Sequence, residues 1–288
     1  MYTDIFGKTR YKVNLHTHTK ISDGCKTPDE VAEIYRQKGY DAVALTDHWK
    51  YGSSYTASNG LRILSGIEYN ILNVSSKDGL FHIVGVGMDC DPDLPKSASA
   101  QDAIDAINRT NGLAIIAHPA WSLNTPEHIR NLKGADTTEI YNSVSGVHMS
   151  RRADSSLIVD MLATMGNFYN LIADDDAHYY DGDECLSFIM VEAQSCEKAD
   201  LISAIRAGKF YASQGPEVHA WRENDEIVVK CSPCSEIVVF SDTVWCKRVF
   251  EGEELTSARY QIAKPDTYVR VQVKDADGKL AWTNCIVL

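Results

Sequence analysis

Short, almost wholly apolar runs alternate with amphipathic stretches through the first two thirds of the chain. Strands are predicted at Tyr11-Lys12-Val13-Asn14-Leu15, at Ala42-Val43-Ala44-Leu45-Thr46, over 61–67 and over 80–87. Further strands are predicted over 113–117, 138–141 and 168–173. Their near-continuous hydrophobicity is that of strands covered on both faces. Between them, Thr27-Pro28-Asp29-Glu30 opens a helix over 28–38, with Thr27 as N-cap, Pro28 in the first turn and Glu30 closing a capping box. Gly39 stops it. Ala103, Ile104 and Ile107 keep helical spacing within a helix over about 98–109. Thr125-Pro126-Glu127 starts a short helix, and longer ones are expected over about 153–165 and 199–207.

Strand and helix thus alternate about seven times, the pattern of a parallel barrel or a doubly wound sheet. The polar residues discriminate between these. His16 and His18, His48, Glu68, His118, Asn142, and Asp176 with His178 fall at the carboxyl ends of successive predicted strands. A closed α/β barrel builds its site there from nearly every strand, whereas an open sheet uses only those beside a switch point. Beyond Pro216 the segments become short, β-rich and alternating, and Asp277-Gly278 is a hairpin signal. Residues 1–215 are therefore expected to form the barrel, and 216–288 a small antiparallel, sandwich-like β domain without catalytic features.

Composition narrows the partners. With 28 basic against 40 acidic residues, the net charge of −12 argues against a nucleic-acid polymer or an anionic membrane. A phosphorylated substrate stays open, because bound cations would reverse the local sign. No apolar run approaches the roughly 20 residues of a membrane span, and the first residues do not read as a secretory signal. The cytoplasm is the expected location. Eight scattered cysteines predict reduced thiols, and Cys231-Ser232-Pro233-Cys234 reads as a turn between two strands.

His16 and His18, two apart at a strand end, point to one side, and Asp23 in the Ser-Asp-Gly turn can swing to the same place. With His48, Glu68, His82, His118, Asp176 and His178 they make nine candidate ligands, too many for one ion. At least two divalent ions, and plausibly three, are implied. Imidazole with carboxylate suits zinc, manganese or iron. Ions held about 3.5–4 Å apart clamp the attacking and leaving oxygens of a displacement, with hydroxide as nucleophile.

The ordered motifs His16-Thr-His18, Asp23-Gly24, Thr46-Asp47-His48, Gly66-Ile67-Glu68, Ala117-His118-Pro119 and Asp176-Ala177-His178 resemble those of the polymerase and histidinol phosphatase (PHP) superfamily. The resemblance covers about residues 10–215 and is nearest to its stand-alone phosphoesterase-like branch. Within that branch it is similar to members with a C-terminal β domain, some named for carbaryl hydrolysis. It implies a distorted (β/α)7, TIM-like barrel. It also implies that His16, His18, Glu68 and Asp176 hold a first ion, Glu68, His82 and His118 a second, and Asp23, His48 and His178 a third. Glu68, Asp176 and His178 are the expected catalytic core.

Arg151, Arg152 and Lys20 are the expected phosphate contacts, since guanidinium suits phosphate. Asn142 is an expected substrate contact. Trp49 and Trp121 are candidate pocket walls, Asp47 a support for His48, and Asp174 and Asp175 supports for the ligands. The leading function is a phosphoesterase acting on a small phosphorylated metabolite or nucleotide. The alternatives are a carbamate, ester or amide hydrolase using the same cluster, and a metal-binding interaction module without catalysis.

Overall fold

The computed structural model describes residues 1–71, 79–245 and 247–288. It is a mixed α/β fold, rich in strands, with six helices among the described residues. Thr9–Asn14, Ala42–Ala44 and Arg62–Leu64 pair in parallel within one sheet. A second, five-stranded sheet contains Gly66–Ile71, Phe81–Val86, Leu113–Ile116, Thr137–Asn142 and Asn170–Asp174. Two isolated parallel bridges, Thr17 with Ala177 and His48 with Glu68, join the sheets on either side. Side chains from both sheets, among them Val13, Leu64, Val84, Ile115, Ile140 and Ile172, share one buried cluster. Each such aliphatic contributes about 1.5–3 kcal/mol by leaving water.

Strict (β/α)7 alternation is not what the chain adopts. The predicted strand over 61–67 breaks at Ser65 into Arg62–Leu64 and Gly66–Ile71, so Glu68 lies inside a strand rather than at the end of one. Gly66 permits the break, since a Cβ there would sit 2.2 Å from the Leu45 carbonyl oxygen. No helix among the described residues separates Gly66–Ile71 from Phe81–Val86. Phe81–Val86 runs antiparallel to both of its neighbours.

The helices follow their local signals. Thr27 Oγ1 accepts from the Glu30 amide at 3.3 Å, and Glu30 Oε2 accepts from the Thr27 amide at 2.7 Å, so the expected capping box starts Pro28–Gln37. Ser99 and Asp102 cap Ala100–Arg109 in the same manner. Each helix buries an apolar stripe, Val31, Ala32 and Tyr35 in the first and Ala103, Ile104 and Ile107 in the second.

Phe188–Val191, absent from the sequence reading, pairs antiparallel with both Thr9–Asn14 and Phe210–Ser213. The C-terminal strands extend this sheet, because Leu280–Trp282 pairs with Phe210–Ser213. In place of short segments, Glu226–Ser241 is one sixteen-residue strand, with register shifts around Cys234. Cys231 and Cys234 therefore sit on a bulged strand and not in a turn. Their sulfurs are 3.6 Å apart, and both contact the Leu255 carbonyl. No helix among the described residues is long and apolar enough to cross a membrane.

Candidate metal centre

The loop after Thr9–Asn14 is held from below. Asn14 Oδ1 accepts the His16 amide at 2.9 Å, and Asp174 Oδ1 accepts that of Leu15 at 2.9 Å. His16 and His18 are thereby buried with their Nε2 atoms 3.3 Å apart. Around them, Glu68 Oε2 lies 3.3 Å from His16 Nε2 and 3.0 Å from His18 Nε2, while Asp176 Oδ1 lies 3.1 Å from each. The other oxygen of Glu68 faces His82 Nδ1 at 2.8 Å and His118 Nε2 at 3.6 Å. On the open side, Asp23 approaches His18, His48 and His178 at 3.5, 3.6 and 3.7 Å.

All nine predicted ligands thus converge as three donor sets that share Glu68 and His18. The reversed course of Phe81–Val86 explains His82. It begins its strand, yet that beginning lies at the same mouth where the parallel strands end.

This arrangement fits metal ions better than hydrogen bonding. Glu68 Oε2, Asp176 Oδ1 and His48 Nδ1 are buried without a hydrogen bond, although nitrogens crowd both carboxylate oxygens. Unpartnered buried polar atoms are costly, and aiming several at common points is the geometry of a cation site. Asp23 is held well below the usual carboxylate range by its contact with His18 and by the nearby His178 and His48 rings. Burial pushes Glu68 and Asp176 upward, but the surrounding imidazoles outweigh it and lower both. The three carboxylates are ionised ligands at neutral pH. His118 and Asp176 hold φ of +30° and +53°, a left-handed backbone uncommon outside glycine and often found at working sites.

A second layer fixes the ligands. Glu139, which the sequence reading passed over, receives His16 Nδ1 at 2.6 Å on one oxygen. Its other oxygen accepts the His118 amide and the Asn142 side-chain amide, both at 2.8 Å. A lone carboxylate within the strand Thr137–Asn142, three residues before Asn142, was the available signal. Ser122 Oγ meets His118 Nδ1 at 3.0 Å, and the Asp176 carbonyl meets His178 Nδ1 at 2.7 Å, leaving each Nε2 to face the site.

Several expected roles move. Asn142 is fully buried, with its amide donating to Glu139 and Asp176 and its oxygen accepting from Ser145, so it positions ligands rather than touching substrate. Asp47 accepts from Thr19 and Ser22 and holds the turn that carries Asp23, not the His48 ring. Asp175, pushed up to about 6 by burial, accepts from Asn14, Tyr35 and three amides over 185–187, and so anchors a loop.

The nearby cavity, about 330 Å³, is lined by Asp23, His48, His82, His118, Asp176 and His178. Trp121, Val144, Ser145, Met149 and Tyr179 complete its described walls. Arg151, Arg152 and Lys20 are exposed and are not among its walls. Arg151 instead donates to the Gly146 carbonyl at 2.7 Å, and Lys20 faces Glu30 at 3.8 Å. Trp49 packs on Tyr69 and bonds Asn70, also outside the cavity.

The fold is PHP-like, and the three donor sets are candidate metal sites. Across 99% of this chain and 98% of its own, a two-domain Bacteroides vulgatus protein described as containing a predicted PHP-like metal-dependent phosphoesterase shares the fold, with a TM-score of 0.54 and 17% identity. A 3',5'-nucleoside bisphosphate phosphatase of Chromobacterium violaceum is 35% identical over 82 residues, 27% of this chain and 28% of that one. An uncharacterized protein of Methanocaldococcus jannaschii is 27% identical over 124 residues, 38% of this chain and 67% of its own. The matched segment thus spans little more than a quarter of the phosphatase. No family model matches the chain. The chain shares the fold of a PHP-like protein and, over a short segment, resembles a phosphatase in sequence.

Proposed function

We propose that this protein is a metal-dependent phosphoesterase of small phosphorylated molecules, working with two or three divalent ions, zinc, manganese or iron. The observation that carries this reading is the convergence of ionised Glu68, Asp176 and Asp23 with six histidines beside one open cavity. Divalent ions bound there supply charge neutralisation for an incoming phosphate and lower the pKa of water toward neutrality. His16, His18, Glu68 and Asp176 would hold the deepest ion, Glu68, His82 and His118 a second, and His18, Asp23, His48 and His178 the most exposed. Glu68 belongs to the first two donor sets. Glu139 keeps His16 Nδ1 protonated and its Nε2 lone pair aimed inward.

The two sheets are read as halves of one distorted (β/α)7 barrel over residues 1–215, and residues 216–288 as a β unit that braces it. A phosphorylated metabolite is the proposed partner and the cytoplasm the proposed setting. A second reading, hydrolysis of a carbamate, ester or amide, is favoured by one observation: among the described residues no Arg or Lys lines the cavity.

The test is turnover of 4-nitrophenyl phosphate, bis(4-nitrophenyl) phosphate and 4-nitrophenyl acetate by manganese- or zinc-loaded protein. The leaving group is constant, so the panel isolates the bond attacked. Phosphate-ester turnover that vanishes in the Asp176→Ala, His178→Ala double variant supports the proposal. Turnover of the acetate alone selects the second reading, and silence on all three with metals bound rejects both.

A further inference from the structure

The cavity has mixed walls. The candidate ligands supply every charged group among its described walls, and the rest are Trp121, Val144, Met149 and Tyr179 with the Ser145 hydroxyl. That hydroxyl is engaged, since it donates to Asn142 Oδ1 at 2.7 Å. Among the described residues no wall residue is a Lys or Arg, and Arg151 and Lys20 are committed to Gly146 and Glu30 outside. A second anionic group on the substrate would therefore lose water without gaining a cation. The ion cluster can compensate only the group presented to it: two or three divalent ions against three carboxylates leave a small positive excess.

Trp121 sits directly beside that point. Its ring lies 4.9 Å from the His118 ring and 5.4 Å from the His82 ring, centroid to centroid. A group joined to an anion held near those imidazoles meets the indole at once. At about 330 Å³ the cavity is near the lower end of ligand pockets, room for a small ring system.

We infer that the site selects substrates with one anionic group, the one attacked, joined directly to a flat, uncharged ring that packs between Trp121 and Met149. The inference rests on the phosphoesterase reading for the identity of the anionic group. Its test does not need turnover.

Binding of phenylphosphonate and methylphosphonate to the manganese-loaded protein is measured by calorimetry in the wild type, Trp121→Ala and Met149→Ala. Both ligands carry the same anion, so their affinity ratio within each protein cancels any change in metal loading. An advantage of about tenfold for the phenyl compound, falling to about twofold in Trp121→Ala, is expected from loss of an aromatic contact. Equal affinities in the wild type, or an advantage unchanged in both variants, would overturn the inference. So would tighter binding of adenosine 3',5'-bisphosphate than of adenosine 5'-monophosphate. If the ring preference appears and 2-naphthyl phosphate is not hydrolysed, the cavity inference stands and the phosphoesterase proposal fails.

Discussion

Replacing Glu139 with glutamine changes one atom of a buried side chain and leaves its volume intact. In the native protein one carboxylate oxygen receives His16 Nδ1 at 2.6 Å and the other accepts two donors, the His118 amide and Asn142 Nδ2. A carboxamide has one oxygen and one NH2. If the oxygen keeps the two donors, the NH2 faces His16 Nδ1 and forces the imidazole proton onto Nε2, the atom that should ligate. If the amide is flipped, its NH2 opposes two N–H groups instead. The first orientation costs the deepest position its oriented ligand and the second leaves the His118 and Asn142 N–H groups without an acceptor, so a protein that takes the first is expected to lose metal affinity about 10–100-fold, or about 1.4–2.7 kcal/mol. Chelator competition with zinc measures this, and thermal unfolding of the metal-free variant shows whether the fold has suffered separately. An affinity within twofold of wild type would refute the argument that Glu139 fixes the His16 tautomer.

Gly24→Ala would place a Cβ 2.5 Å from the His18 carbonyl oxygen and 2.7 Å from the Thr19 nitrogen, so the turn carrying Asp23 must move. The expected result is about one ion fewer by elemental analysis, with a stability loss of about 1–3 kcal/mol by urea unfolding. Asp175→Asn should destabilise by about 2–4 kcal/mol in the same urea measurement, because an amide cannot accept all five hydrogen bonds that the carboxylate accepts. Arg151→Ala and Arg152→Ala should leave kcat/KM for 4-nitrophenyl phosphate within about threefold, since neither side chain lines the cavity. A loss of about a hundredfold in either would return that arginine to the substrate site.

The metal centre was legible because its information is local. His16-Thr-His18, Asp47-His48 and Asp176-Ala177-His178 each put ligands at a strand end, and order along the chain was enough to gather them. Helix starts were legible for the same reason, as Thr27 with Glu30 shows. Direction was not, because an apolar run such as Phe81–Val86 reads the same in a parallel or an antiparallel place, and only its pairing reveals why His82 belongs. Val249–Gln261 was missed because it is largely exposed and polar, with no buried face to impose a period of two on its sequence. Guanidinium chemistry singled out Arg151, but the sequence does not show where it sits: its backbone, at φ +62°, and its bond to Gly146 belong to a loop, and it is not among the cavity walls.

The pairing of Leu280–Trp282 with Phe210–Ser213 also has a bearing on how the chain is made. During synthesis every ligand of the metal centre has emerged once His178 has, yet the sheet beneath His16 keeps an open edge until residue 282 follows. For roughly a hundred residues of translation, at about 5–20 residues per second, a nascent chain with a nearly complete site carries an unpaired strand that another chain can join. Leu280–Trp282 closes an edge two strands along from the one that carries the first motif, so the hazard is one of timing: a chain halted before residue 280 keeps that edge open with its candidate ligands already made.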